Sequence, residues 1–120
     1  MLPTILVQGT GSIGMRHLSV IRQSAMAEPF ACPVRPERVS ALAEAGYQAV
    51  SDWASLPRID GIIVATDTGR HLADALAALQ AGWPVLIEKP VPPTADGLDG
   101  LAAATRQANR SVFVAAPLRF

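Results

Sequence analysis

The chain has 120 residues, half of them hydrophobic and 5% aromatic, and its formal net charge is zero. This length suits one domain with its own core, so we expect residues 1–120 to fold as a unit. A chain without excess charge is not drawn to nucleic acids or membrane surfaces, and we expect neither partner. The single cysteine, Cys32, excludes an internal disulfide and favours a reducing, cytoplasmic location. No apolar run reaches the length of a signal peptide or a membrane span.

Short Val/Ile-rich segments alternate with longer Ala/Leu-rich segments of helical period, which is typical of βαβ units. The predicted strands are residues 5–7, 30–34, 47–50, 61–65, 84–87 and 111–115; the predicted helices begin near residues 12 and 36 and span residues 68–81 and 94–109. Gly46 and Gly82 are predicted to end helices, whereas Pro33 is unfavourable within the second strand. The sequence therefore predicts an α/β fold with a Rossmann-like, doubly wound, mainly parallel six-stranded sheet and helices on both faces.

A glycine-rich turn follows the first predicted strand and opens the first predicted helix. It reads Gly9-Thr10-Gly11-Ser12-Ile13-Gly14. In this pattern the first glycine permits a tight turn, the second lets a pyrophosphate approach the backbone, and the third lets the helix pack closely on the strand. The helix N-terminus supplies N–H groups and a positive dipole end, and Thr10 and Ser12 add hydroxyl groups. This context favours a dinucleotide site over a turn that binds nothing.

The residues about 20 positions beyond the turn indicate which dinucleotide binds, because NAD-binding proteins of this fold carry an acidic residue there for the ribose 2′-hydroxyl. Here Arg35 stands at the end of the predicted second strand, and Arg38 follows one helical step later, while Glu37 is better explained as a helix cap. A guanidinium offers a planar set of donors that suits a phosphate. We therefore expect NADP(H) rather than NAD(H); the alternative is that both arginines are ordinary surface residues.

Further motifs resemble one family over essentially the whole chain. The residues that carry the resemblance are the glycine turn with Met15-Arg16-His17, then Ala65-Thr66 and His71, then Ala81-Gly82-Trp83-Pro84-Val85-Leu86-Ile87-Glu88-Lys89-Pro90, and finally Leu118-Arg119-Phe120. Together they resemble the N-terminal domain of the glucose–fructose oxidoreductase/inositol dehydrogenase/MocA family. The resemblance implies a nicotinamide-dependent oxidoreductase acting on a sugar- or polyol-like substrate.

The resemblance also implies roles for individual residues. Lys89 would lie near the nicotinamide and the substrate, where an ammonium group can orient a substrate hydroxyl or transfer a proton. The loop that contains Asp67 would lie along the nicotinamide ribose, although many members have proline at that position. His71 either hydrogen-bonds near the active site or is structural. The residues expected to contact the dinucleotide are Gly9, Thr10, Gly11, Ser12, Ile13, Gly14, Arg35, Arg38, Ala65, Thr66, Asp67, Thr68, His71, Glu88, Lys89 and Pro90.

Members of the resembled family continue into an α/β substrate domain, and this sequence ends where that domain would start. We therefore expect little turnover from this chain alone. Loss of that domain would uncover apolar surface near residues 112–118, which favours a homodimer; a separate substrate-domain polypeptide is the other expected partner. The alternative functions are a non-catalytic dinucleotide-binding or regulatory module and a remnant that binds nothing well, and Lys89 argues against the former. No metal-ligand spacing is present, so no metal site is expected.

Overall fold

The structure, a computed structural model, describes residues 2–56, 58–88, 103, 106–107 and 112–115. Its strands are β1 (Thr4–Gln8), β2 (Glu28–Cys32), β3 (Gln48–Ala49), β4 (Gly61–Val64), β5 (Val85–Glu88) and β6 (Val112–Ala115). Its helices are α1 (Ser12–Ser24), α2 (Val39–Glu44) and α3 (His71–Gln80), and three short 3₁₀ segments are Pro36–Arg38, Trp53–Ser55 and Thr68–Arg70. Residues 103, 106 and 107 are helical and fall within the helix predicted at residues 94–109, the rest of which lies outside the described residues.

The strands pair in parallel in the spatial order β3-β2-β1-β4-β5-β6. The chain runs outward from β1 to β3 and then returns to the other side of β1, where it builds the remaining strands. This reversal is the switch point of a doubly wound sheet, and the predicted Rossmann-like α/β fold is confirmed. None of the helices in the described part of the chain combines the length and the apolar composition that spanning a membrane requires.

The core lies on both faces of the sheet because successive residues of a strand point to opposite faces. On one face, Leu6 and Ile62 pack with Leu79 of α3. On the other face, Val7 packs with Leu18 of α1. Each fully buried aliphatic side chain of this kind contributes about 1.5–3 kcal/mol. These two layers therefore hold the strand ends, and the loops that follow them, in fixed positions.

The second strand lies two residues earlier than the sequence predicts. The predicted strand is residues 30–34, whereas β2 spans Glu28–Cys32. Pro33 cannot donate to a strand ladder and so ends the strand, while Pro29 is tolerated because β3 pairs only with the two residues that follow it. Val34, which was predicted to be part of the strand, therefore lies beyond the sheet, in the segment that leads to Arg35.

The helix predicted at residues 68–81 has two parts. Its first turn is the 3₁₀ segment Thr68–Arg70, in which the Arg70 N–H donates to the Asp67 carbonyl at 2.8 Å, and α3 begins only at His71. Gly82 has a φ of +95° and follows the helix as its predicted terminator. The 3₁₀ turn sets which residues of α3 face the loop after β4.

Asp60 joins β1 to the segment before β4 at the amino-terminal ends of the strands, which form the edge of the sheet opposite the glycine turn. Its Oδ2 accepts the Thr4 backbone N–H at 2.7 Å, and its Oδ1 accepts from Arg58 Nε at 3.2 Å. The backbone N–H first, and the Arg58 guanidinium second, lower the pKa of Asp60 by stabilising its ionised form. Asp60 is thus a hydrogen-bonded carboxylate remote from the other edge of the sheet.

Candidate functional site

The glycine turn connects β1 to α1 at the carboxyl edge of the sheet. Gly11 is the N-cap of α1, no side chain caps the helix, and the first turn contains no acidic residue. The Met15 N–H donates to the Gly11 carbonyl at 2.9 Å, so the N–H groups of the preceding helical residues have no partner within the helix. These N–H groups and the positive end of the helix dipole make this terminus suited to an anion.

The three glycines of the turn differ in what surrounds them. Gly9 has a φ of +96°, and a Cβ on it would lie 2.6 Å from the Ala65 carbonyl oxygen. A Cβ on Gly14 would lie 1.9 Å from the Gly9 carbonyl oxygen, whereas a Cβ on Gly11 would meet nothing within 4 Å. Packing therefore requires glycine at positions 9 and 14, while the space over Gly11 is open.

A cavity of about 270 Å³ lies over this turn. It is lined by Gly9, Thr10, Gly11, Val34, Arg35, Arg38, Ala65, Thr66 and Asp67. These residues follow β1, β2 and β4, whose carboxyl ends meet at the switch point of the sheet. Apart from Val34, all of them are residues that the sequence predicts to contact a dinucleotide, so the fold brings three separate parts of the prediction together.

Two arginines form the wall of the cavity on the β2 side. Arg38 Nη1 donates to the Thr10 carbonyl at 3.0 Å, so this side chain reaches from the segment after β2 to the glycine turn. Arg35 is exposed and has an extended backbone immediately before the 3₁₀ segment Pro36–Arg38. Among the described lining residues, Asp67 is the only acidic one, and it follows β4 rather than β2. This wall is therefore cationic.

The loop after β4 is held from behind by two side chains of α3. Thr66 is 8% exposed, and its hydroxyl donates to Asp74 Oδ2 at 2.7 Å. The Thr66 carbonyl oxygen accepts from Nε2 of His71, which is buried. Because a carbonyl can only accept, this ring nitrogen carries the proton. The structure places His71 against the loop and not among the residues that line the cavity.

Some residues predicted to contact the dinucleotide are not among those described as lining the cavity. Thr68 begins the 3₁₀ segment next to it, and Glu88 is the last residue of β5. Lys89 and Pro90 lie outside the described residues, so their roles stay predictions. The remaining residues of this group lie in the first turn of α1: Ser12 and Ile13, which are exposed, and Gly14, which is buried.

Three residues of this region were not predicted from the sequence: Val34, Gln8 and Asp74. Gln8 Nε2 donates to Asp74 Oδ1 at 3.5 Å, and Arg70 Nε lies 3.6 Å from Asp74 Oδ2. Asp74 therefore joins β1, the loop after β4 and the 3₁₀ segment. Of these three residues, only Asp74 could have been found from the sequence. It is an acidic residue next to Ala75, which belongs to the apolar stripe of α3.

Cys32 ends β2 close to the site, but it is buried. Burial, and then the negative charge of Asp52, raise the pKa of the Cys32 thiol. The thiolate, which is the reactive form, is therefore disfavoured.

A parallel doubly wound sheet, with a glycine turn at its switch point and an uncapped helix facing an open cavity, defines a Rossmann domain of the dinucleotide-binding class. The family model that covers glucose–fructose oxidoreductase, inositol dehydrogenase and MocA, described as an oxidoreductase family with an NAD-binding Rossmann fold, matches residues 4–116. The chain belongs to this family, and the resemblance drawn from its motifs is confirmed.

Two curated relatives match most of the chain. It is 32% identical over 94 residues to the rhizopine catabolism protein MocA of Rhizobium meliloti, covering 73% of this chain and 29% of that protein. It is 28% identical over 97 residues to an inositol 2-dehydrogenase of Corynebacterium glutamicum, covering 75% of this chain and 29% of that protein. The chain thus spans less than a third of the length of the curated relatives it matches.

Two solved structures illustrate the range of cofactors among similar folds. The WlbA dehydrogenase of Bordetella pertussis, solved with NADH and UDP-GlcNAcA, has a TM-score of 0.83 and 26% identity, covering 96% of this chain and 37% of that one. The biliverdin reductase of Synechocystis, solved with biliverdin and NADP⁺, has a TM-score of 0.80 and 26% identity, covering 92% of this chain and 37% of that one. The two neighbours bind different nicotinamide dinucleotides, so they do not decide between NAD(H) and NADP(H) for this chain.

Gly14→Ala is expected to destabilise the fold, because the added methyl group would overlap the Gly9 carbonyl oxygen, 1.9 Å from the new Cβ. Overpacking costs about 1–3 kcal/mol and sometimes more, and we expect roughly 3 kcal/mol because backbone atoms must move. Gly11→Ala is the matched control, since its Cβ meets nothing within 4 Å, and we expect a change below about 0.5 kcal/mol. Urea unfolding measures both; equal stabilities would contradict the packing described for the turn.

Proposed function

We propose that the chain is the dinucleotide-binding domain of an oxidoreductase that prefers NADP(H) and, together with a substrate domain, acts on a sugar- or polyol-like compound. The observation that carries the proposal is the cavity at the switch point of the sheet. The glycine turn, the cationic segment after β2 and the loop after β4 all border it. In open α/β sheets, ligands bind in the crevice at this point.

Each part of the cavity suits one part of a dinucleotide. The open space over Gly11, next to the uncapped N-terminus of α1, suits the pyrophosphate. The segment of Val34 and Arg35 suits the ribose of the adenosine half, since it follows β2. The loop of Thr66 and Asp67 suits the nicotinamide half. The remaining proposed contacts are Ser12, Ile13, Gly14, Thr68, His71, Glu88, Lys89 and Pro90.

The arginines support NADP(H) as the preferred cofactor. A 2′-phosphate near the end of β2 would meet guanidinium groups where NAD-binding proteins of this fold have a carboxylate. Arg38 uses one N–H for the Thr10 carbonyl, and a guanidinium has five donors in all, so it retains others for a phosphate. Arg35 carries no such backbone contact to the turn among the described hydrogen bonds, which leaves it the better candidate for setting the preference.

Calorimetric titration of the purified chain with NADP(H) and with NAD(H) tests the proposal. We expect tighter binding of NADP(H). Arg35→Ala is expected to weaken NADP(H) binding about tenfold or more, because a hydrogen bond to a charged group contributes about 1.5–3 kcal/mol. Binding of NAD(H), which lacks the 2′-phosphate, is expected to change less than about threefold.

Arg58→Ala is the matched control for this titration. Arg58 is a largely exposed arginine whose Nη2 lies 3.1 Å from Asp60 Oδ1, at the opposite edge of the sheet. Its removal is expected to leave both dissociation constants unchanged. Equal affinity of the wild-type chain for the two dinucleotides would contradict the NADP(H) preference, and binding of neither would contradict the dinucleotide site itself.

Lys89 is the residue that we propose for catalysis. It follows Glu88, the last residue of β5, and the carboxyl end of β5 lies at the same edge of the parallel sheet as those of β1 and β4. An ammonium group near the nicotinamide can orient a substrate hydroxyl and exchange a proton with it. Substrate contacts and further catalytic groups would come from the substrate domain, in keeping with the greater length of the matched relatives.

The position of Lys89 can be tested directly because it is the only lysine of the chain. Reductive methylation with isotope-labelled formaldehyde labels only its amine and the terminal α-amino group. Adding NADP(H) is expected to shift the NMR signal of dimethylated Lys89 and to leave the signal of the terminal α-amino group in place, because the chain enters β1 at Thr4, at the end of the sheet opposite the glycine turn. An unmoved Lys89 signal at saturating dinucleotide would contradict the proposed position.

The partner of this domain is proposed to be a substrate domain, carried either by further chain or by a separate polypeptide. A homodimer through the surface of residues 112–118 is the other association that we propose, and a monomeric sedimentation profile at high protein concentration would contradict it. The single buried Cys32 supports a reducing compartment, so we propose a cytoplasmic location.

A further inference from the structure

We infer that Asp74 is a positioning residue of the dinucleotide site, which fixes the Thr66 hydroxyl as a hydrogen-bond acceptor. The wall formed by Thr66 then takes a hydrogen-bond donor of the ligand, such as a hydroxyl or an amide, and not a phosphate. The inference rests on the proposed function and divides the cavity into two parts. Phosphate binds at the arginine wall and the glycine turn, and an uncharged donor binds at Thr66.

The geometry fixes the direction of the hydrogen bond between Thr66 and Asp74. The side chain of Asp74 is 12% exposed, and its Oδ2 lies 2.7 Å from Thr66 Oγ1. An aspartate carboxylate has only acceptor sites, so the Thr66 hydroxyl must be the donor. The hydrogen of that hydroxyl is therefore used, and only lone pairs remain on Oγ1 for a ligand.

The rest of the polar network prevents Thr66 from turning. Its carbonyl oxygen accepts from His71 Nε2, so both oxygen atoms of Thr66 are held by α3. Asp74 is held in turn by Gln8 Nε2 at 3.5 Å and by Arg70 Nε at 3.6 Å. Gln8 is the last residue of β1 and directly precedes the glycine turn. The carboxylate thus fixes the loop after β4 relative to the strand that begins the phosphate site.

The negative charge of Asp74 also disfavours binding of a phosphate at Thr66. A negative charge one hydrogen bond behind Thr66 disfavours a second negative charge on the other side of that residue. Arg70 offsets this effect only partly, because its side chain is 49% exposed and lies beyond normal hydrogen-bond distance. The Thr66 wall is accordingly unsuited to phosphate both in its hydrogen-bonding polarity and in its charge.

Three variants test the inference by calorimetry with the dinucleotide that the wild-type chain binds more tightly. Thr66→Val removes the hydroxyl at nearly constant shape, and Asp74→Ala removes its acceptor. Each is expected to weaken binding about five- to tenfold, the effect of losing one uncharged hydrogen bond. The double variant is expected to bind no more weakly than either single one, because both changes act through the same hydroxyl.

Asp74→Asn is the conservative variant expected to restore binding. Its side-chain oxygen can still accept from Thr66. Its amide can donate to Gln8 once the Gln8 amide group turns over, so that Oε1, a buried atom without a hydrogen-bond partner in the described part of the structure, replaces Nε2 opposite residue 74. We expect binding within about twofold of wild type. Asp74→Asn as weak as Asp74→Ala, or additive effects of Thr66→Val and Asp74→Ala, would overturn the inference.

Two controls separate positioning from a general loss of structure. Asp60→Ala removes a hydrogen-bonded carboxylate at the opposite edge of the sheet, so it is expected to lower Tm and leave the dissociation constant unchanged. Adenosine 2′,5′-bisphosphate lacks the nicotinamide half, and it is expected to bind wild type and Asp74→Ala equally. Weaker binding of this fragment to Asp74→Ala would show a collapse of the whole site and overturn the positioning role.

The inference can fail separately from the proposed function. If the wild-type chain binds neither dinucleotide, the proposed function is wrong, and hydrogen exchange in the ligand-free protein still tests Asp74. Exchange of the backbone amides of residues 66–70 is expected to become faster in Asp74→Ala and to stay unchanged in Asp74→Asn. Unchanged exchange in Asp74→Ala would overturn the inference.

Discussion

The close packing of the glycine turn between two neighbouring strands is the constraint on which the site depends. Gly9 approaches the Ala65 carbonyl too closely for a side chain, and Gly14 approaches the Gly9 carbonyl still more closely. Because both approaches are between backbone atoms, the N-terminus of α1 has a fixed position at the junction of β1 and β4. The absence of a side-chain cap on α1 leaves its first N–H groups to an anion.

Around this fixed turn, the site combines two walls of opposite character. The segment after β2 contributes arginine side chains, and one of them, Arg38, is anchored to the Thr10 carbonyl. The loop after β4 contributes Thr66, whose oxygen atoms are held by Asp74 and His71. The ligand that we propose presents anionic groups to the arginine side and uncharged polar groups to the Thr66 side, as a nicotinamide dinucleotide can. Rigid strands covered on both faces hold the two walls in fixed positions relative to each other.

The sequence predicted the features that depend on local patterns. Hydrophobic periodicity indicated the alternation of strands and helices, and Gly82 has the positive φ expected of a helix terminator. Features set by distant parts of the chain were not predictable in this way. The extent of β2 depends on which of its residues β3 pairs with, so Pro29 rather than Pro33 lies within the strand. The role of Asp74 depends on the 3₁₀ turn before α3, which determines the side chains that face Thr66.

We propose that the crevice between β1 and β4 binds a nicotinamide dinucleotide, and amide NMR of the isotope-labelled chain titrated with NADPH tests this claim. We expect shifts concentrated in residues 9–14, 34–38 and 65–67, with the amides of Thr4 and Asp60 unchanged. A second groove, lined by apolar residues that include Ile21 and Leu86, lies near the opposite edge of the sheet. Shifts centred on that groove, or no shifts at all, would contradict the claim.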